Sequence, residues 1–126
     1  RQFDMTNDIK NQDLKYRPLV YVASAYSGDV ITNIEKAKQY CRFSLEQGQI
    51  PLAPHLMFPL FMNDDNLAER ELAIFMDVIL LGKCDELWVF GDSISERMAV
   101  EIEVAKKRRQ PIRYFNSAMQ EVTDHE

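Results

Sequence analysis

Cysteine, glycine and positive charge are all in short supply in this 126-residue chain, and each shortage removes a class of protein. The two cysteines, Cys41 and Cys84, stand inside helical patterns without CxxC or Cys/His spacing, so neither a disulfide framework nor a zinc site is indicated. They read as core thiols of a reducing compartment. The formal net charge of −5 leaves no cationic face for a nucleic acid polymer or an anionic membrane. The one basic cluster, Lys106 to Arg109, reads as a helix end, where cations complement the negative end of the dipole. With four glycines there is no GxGxxG and no P-loop, and GxSxG and HExxH are missing too. Dinucleotide redox chemistry, Walker-type nucleotide hydrolysis, elbow-type serine hydrolysis and zinc-protease chemistry lose their usual supports. No apolar run reaches the roughly 18 residues of a membrane span, and the polar start RQFDMTNDIKNQDLKYR has no signal-peptide core. The expectation is a soluble cytoplasmic protein, with residues 1–17 as a polar extension and residues 18–126 as one domain.

What is present is a 46% hydrophobic content, enough for a proper core without staples. "PLVYVASA", Pro18 to Ala25, reads as a strand ending in the small polar turn Tyr26 to Asp29. Val30, Ile34, Ala37, Cys41 and Leu45 then recur at helical spacing, with Gly48 as a stop signal. "QIPLAPHL" reads as extended, because its two prolines are unsuited to a helix interior, and it leads into the Met/Phe-rich loop "MFPLFMNDDN". A second helix is expected over Leu67 to Lys83, a strand at "ELWVFG", a helix opening near Ser93 or Ser95, and a last strand at "QPIRYF". Ser93 with Glu96 fits a capping box, and Ser95 is a competing cap. Strands alternating with helices predict an α/β fold: a three-layer α/β/α sandwich, flavodoxin- or Rossmann-like, around a parallel sheet of four to five strands. Ligands of such sheets sit beyond the carboxyl ends of the strands, so the loops at 25–29, 54–59 and 91–95 should converge on one crevice.

"LAIFMDVILL", Leu72 to Leu81, holds one carboxylate, Asp77, among nine apolar side chains. A buried carboxylate takes a proton or finds a partner, so Asp77 either pairs with Arg70 or a lysine or faces a functional pocket. In the helix "SISERMAVEIEVAKKRR", Glu101 shares a side with Met98, Ile102 and Ala105, whereas Glu103 falls on the opposite side and serves as an internal control. Glu101 is therefore either a snorkelling carboxylate at the sheet edge or a site residue. Two inward carboxylates in one crevice push their pKa values apart, giving one ionised nucleophile and one acid that keeps its proton. Tyr26, in the first strand-to-helix loop, is a candidate partner for a carboxylate or ligand. His55 stands at the pocket edge, as a structural or a ligand-binding histidine. Ser93 and Ser95 serve either as caps or, with helix amides, as a phosphate cradle.

The order "VYVASAYSGD", "GQIPLAPHL", "MDVILLGKCDELWVFGD" and "SISERMAVEIEVA" resembles the nucleoside 2-deoxyribosyltransferase superfamily, including its deoxynucleotide N-hydrolase branch, and looks nearest to a small bacterial and phage subgroup. The resemblance spans residues 18 to 116. It implies that Glu101 is the nucleophile on the anomeric carbon of the sugar and that Asp77, eight residues before Asp85, handles the proton. It implies that Tyr26 orients the nucleophile. Substrate-binding positions would be Ser24, Ser27, Gly28 and His55 from the first two loops, and Asp92, Ser93, Ser95, Arg97 and Met98 around the nucleophile helix. Relatives commonly carry a small residue before the nucleophile where this chain has "SERM", so Arg97 either crowds the crevice or supplies a cation for a phosphate. The implied partner is a small nucleoside or nucleotide, with no metal and no cofactor. A homo-oligomer is implied as well, a dimer or larger, in which a neighbour's Asn116 and Ser117 close the site. The competing reading is a non-catalytic nucleotide-binding module with the same crevice.

Overall fold

The computed structural model describes residues 14–123. Most of the expected polar extension, residues 1–13, lies outside the described residues. Arg17, at its end, donates to the carbonyls of Leu45 and Gln49 at 2.9 and 3.0 Å.

Five strands form one sheet: β1 (Leu19–Ala23), β2 (Ile50–Leu52), β3 (Glu86–Phe90), β4 (Ile112–Phe115) and β5 (Glu121–Val122). Their order is β2-β1-β3-β4-β5, with the first four parallel and β5 antiparallel to β4. Helix α1 (Val30–Glu46) lies on one face, and two others, Leu67–Gly82 and Glu96–Lys107, lie on the other. The sandwich expected from the alternation is thus present.

Period-two alternation sorts the core. Val20, Val22, Trp88, Phe90 and Phe115 point toward α1, and Tyr21, Ala23, Leu87, Val89 and Tyr114 point to the opposite face. Inner strands apolar on both sides are what a parallel sheet covered twice requires. Beneath α1 the rings of Tyr40 and Phe90 stack at 4.7 Å, those of Phe90 and Phe115 at 4.8 Å, and Phe43 meets Phe115 edge-on.

The Asp29 carboxylate opens α1 by accepting from the Thr32 amide at 3.2 Å and its hydroxyl at 2.8 Å. Gly48, at φ +88°, follows the helix in the left-handed region that glycine adopts freely, as its reading as a stop requires. Asp29→Ala is expected to cost about 1 kcal/mol, seen as a lower urea midpoint with an unchanged slope.

Expectations for Pro54, the Met/Phe-rich loop, the Ser93 cap and Cys84 need correction, whereas Pro51 is extended as read. Pro54 does not extend the second strand; it opens a short helix, α2 (Pro54–Met57), at the first position, where its missing N–H is not needed. A 3-10 turn, Phe58–Leu60, follows within the stretch read as loop. Pro51 does lie in a strand, but β2 is an edge, where a lost donor is tolerated. Ser95 rather than Ser93 caps the last helix, its hydroxyl accepting from the Met98 amide at 3.2 Å, so the Ser93–Glu96 box is not formed. Cys84 sits in the turn after Gly82, not inside a helix. Among the described residues no helix is long and apolar enough to cross a membrane.

Candidate functional site

Helices α3 (Leu67–Gly82) and α4 (Glu96–Lys107) pack against each other, and each turns one carboxylate inward. Ala73, Asp77 and Leu81 form the buried stripe of α3; Met98, Glu101 and Ala105 form that of α4. Asp77 and Glu101 are only 4% and 8% exposed, whereas the control residue Glu103 is exposed. Both acids line one cavity of about 180 Å³, together with Ser24, Tyr26, Ser27, His55, Ser95, Arg97 and Met98.

The Tyr21 hydroxyl donates to Oε2 of Glu101 at 2.5 Å. Burial raises the Glu101 pKa from its ordinary value near 4.5 to about 7, with the Tyr21 hydrogen bond opposing, Asp77 adding to the rise and Arg97 pulling down. Burial and the adjacent carboxylate push the Tyr21 phenol far upward, so it stays a donor. The phenol on the glutamate is therefore Tyr21's, not Tyr26's. Tyr26 lines the cavity from the loop, and its carbonyl accepts from Asn33 at 3.1 Å. The signal for Tyr21 was its place on a strand buried on both faces, where a hydroxyl needs a partner.

Among the described residues Asp77 pairs with neither Arg70 nor a lysine. Its Oδ2 meets Arg97 Nη2 at 3.1 Å, and Nη1 of the same guanidinium meets Asp64 at 2.9 Å. Arg97 is thus anchored between two carboxylates, and Asp64, from the loop before α3, is a member of the site that spacing gave no means of finding. Oδ1 of Asp77 is buried with no hydrogen-bond partner among the described residues. Burial raises the Asp77 pKa against the lowering influence of Arg97. Ser24 Oγ lies 2.7 Å from His55 Nε2, and burial, with Arg97 nearby, pushes His55 down to about 4. At neutral pH the imidazole is uncharged.

The remaining candidates stand farther out. Gly28, at φ +96°, lines an outer trough of about 520 Å³ that shares Tyr26, Ser27 and Arg70 with the cavity. Asp92 and Ser93 line a neighbouring cavity of about 160 Å³ with Ser24 and Tyr40, away from the two acids. Asp92 accepts from the Ser117 amide and hydroxyl at 3.1 and 2.8 Å, and Asn116 accepts the amides of Ala118 and Gln120, so both residues brace the β4–β5 turn of their own chain.

A family model described as a domain of unknown function, DUF7768, matches residues 18–115. The chain belongs to the DUF7768 family. Among solved structures, this DUF7768 protein is similar to a 2-deoxyribosyltransferase from the psychrotolerant bacterium Bacillus psychrosaccharolyticus. The TM-score is 0.57 at 18% identity, over 77% of this chain and 71% of that one. At that identity the likeness is one of fold. No curated protein matches the DUF7768 chain.

Proposed function

We propose that this protein cleaves or transfers the N-glycosidic bond of a nucleoside, deoxynucleoside or nucleoside 5′-monophosphate. The observation that carries the reading is the convergence of Asp77 and Glu101, from different helices, on one small cavity at the carboxyl end of the sheet. The fold shared with a 2-deoxyribosyltransferase supports it.

An oxygen of ionised Glu101 attacks the anomeric carbon as the bond from that carbon to the base nitrogen breaks. The departing base takes the bonding electron pair and a proton from the protonated form of Asp77, which burial favours and Arg97 opposes, and whose Oδ1 makes no hydrogen bond among the described residues. Water, or a second base, then attacks the same carbon; the ester to Glu101 breaks, and the incoming group returns a proton to Asp77. Tyr21 positions Glu101 and favours its charged form.

The test is base release from a panel of ribo- and deoxyribonucleosides and their 5′-phosphates. Binding without turnover of any member would point instead to the non-catalytic module. In kcat/KM, a rising limb near pH 7 is expected, because Glu101 must lose its proton and its pKa is about 7. Removing the Tyr21 hydrogen bond removes an influence that lowers that value, so Tyr21→Phe should move the limb to higher pH. A limb that stays in place would remove Tyr21 from this role.

A further inference from the structure

Two arginines line the cavity, and their situations are opposite. Arg97 is held by Asp77 and Asp64, with its side chain 17% exposed and that of Asp77 6% exposed. Turning Arg97 toward a ligand would break its pairing with the buried Asp77 and with Asp64, which is unfavourable. The cation that "SERM" offered for a phosphate is therefore already in use. Arg70 is different: it is half-buried, and among the described residues its guanidinium makes no ion pair or hydrogen bond. It stands where the cavity opens into the outer trough and lines both. Ser27 lines both spaces as well, and Ser95 lines the cavity.

The substrate of such a site brings a sugar to Glu101, among acids that repel further negative charge: Asp77, Asp64 and Glu96. An uncharged nucleoside would leave Arg70 idle at the mouth, whereas a phosphate monoester on the sugar would supply the fork-shaped acceptor that a guanidinium matches.

We infer that Arg70 is the anion-recognising residue of this cavity and that the substrate carries a 5′-phosphate, held by Arg70 at the mouth with the hydroxyls of Ser27 and Ser95 within the same lining. This rests on the glycosidic reading above and narrows it from nucleosides and nucleotides to nucleotides.

The experiment compares each deoxynucleoside with its 5′-monophosphate on the wild type, Arg70→Met and Arg70→Lys. Equilibrium binding to Glu101→Gln, with and without Arg70→Met, is measured in parallel. The wild type should favour the monophosphate by about 10- to 100-fold, the range of a charge-assisted contact. Arg70→Met should erase that preference by raising KM for the monophosphate toward that of the nucleoside, and an unchanged circular dichroism spectrum and urea midpoint would show that the variant is folded. Arg70→Lys should retain part of the preference, and inorganic phosphate should compete in the wild type but not in Arg70→Met. Equal use of both substrates by the wild type, or a phosphate preference that survives Arg70→Met, overturns the inference and leaves the glycosidic reading standing. If no substrate turns over, the glycosidic reading fails, and the binding arm still decides: an Arg70-dependent preference for the monophosphate supports the anion site, and its absence refutes it.

Discussion

Glu101→Gln is expected to lower base release by at least about 10³-fold, and at the same time to make the protein more stable in alkali. The first effect follows because an amide cannot form the glycosyl ester, and losing a nucleophile is among the largest single-residue losses an enzyme shows. The second follows from linkage. Folding raises the Glu101 pKa from near 4.5 to about 7, so between those values the folded chain keeps a proton that the unfolded chain has released. Stability is therefore lost as pH rises through that window, and the loss is complete above it. At pH 8 it amounts to as much as about 3 kcal/mol. Glutamine carries no such penalty and can still accept from Tyr21. The variant should exceed the wild type in urea midpoint at pH 8, with the difference closing toward pH 4. Retained turnover would show that Glu101 is not the nucleophile; a difference independent of pH would show that its carboxyl is not the strained group.

Arg97→Met should be the most damaging single change to stability at the site, costing about 3 kcal/mol, because the buried Asp77 is left either to carry an uncompensated charge or to take up a proton. The cost is smaller than for a fully dry pair, since Arg97 and Asp64 keep 17% and 24% exposure. Adding Asp77→Asn to Arg97→Met should recover more than half of the loss, which is a coupling of at least about 1 kcal/mol. Simple additivity of the two changes would mean that the ion pair does not hold the site together. In an active preparation Arg97→Met should also raise the pH at which Asp77 gives up its proton, because the guanidinium lowers that value.

The layered fold was legible because long apolar periods are local: α1, α3 and α4 each repeat at helical spacing, and β1 and β3 are short β-branched or aromatic runs. The two acids were legible for the same reason. Asp77 interrupts an apolar run, and Glu101 shares its side with Met98 and Ala105, while Glu103 does not. What could not be read is whatever depends on two elements meeting. Arg97 reaches Asp77 from the neighbouring helix and Asp64 from a loop, an arrangement that no spacing encodes. Tyr21 was passed over for Tyr26 because a loop tyrosine looks like a ligand contact, whereas a strand tyrosine looks like filler until its face is known. Pro54 was misread because the same ring that ends one helix starts another. Strand β5 has two residues, both exposed, and carries no pattern of its own.

The two acids do not sit on loops. One is carried by α3 and the other by α4, and the seam between these helices runs on past the site to Arg108, whose guanidinium caps the Val78 carbonyl of the facing helix at 3.0 Å. The separation of the two carboxylates is consequently set by side-chain bulk along an interhelical seam, while the segments after β1 and β2 line the rest of the cavity. Close packing transmits a change of bulk along such a seam, so repacking near Arg108 and Val78 reaches the two acids without touching either of them.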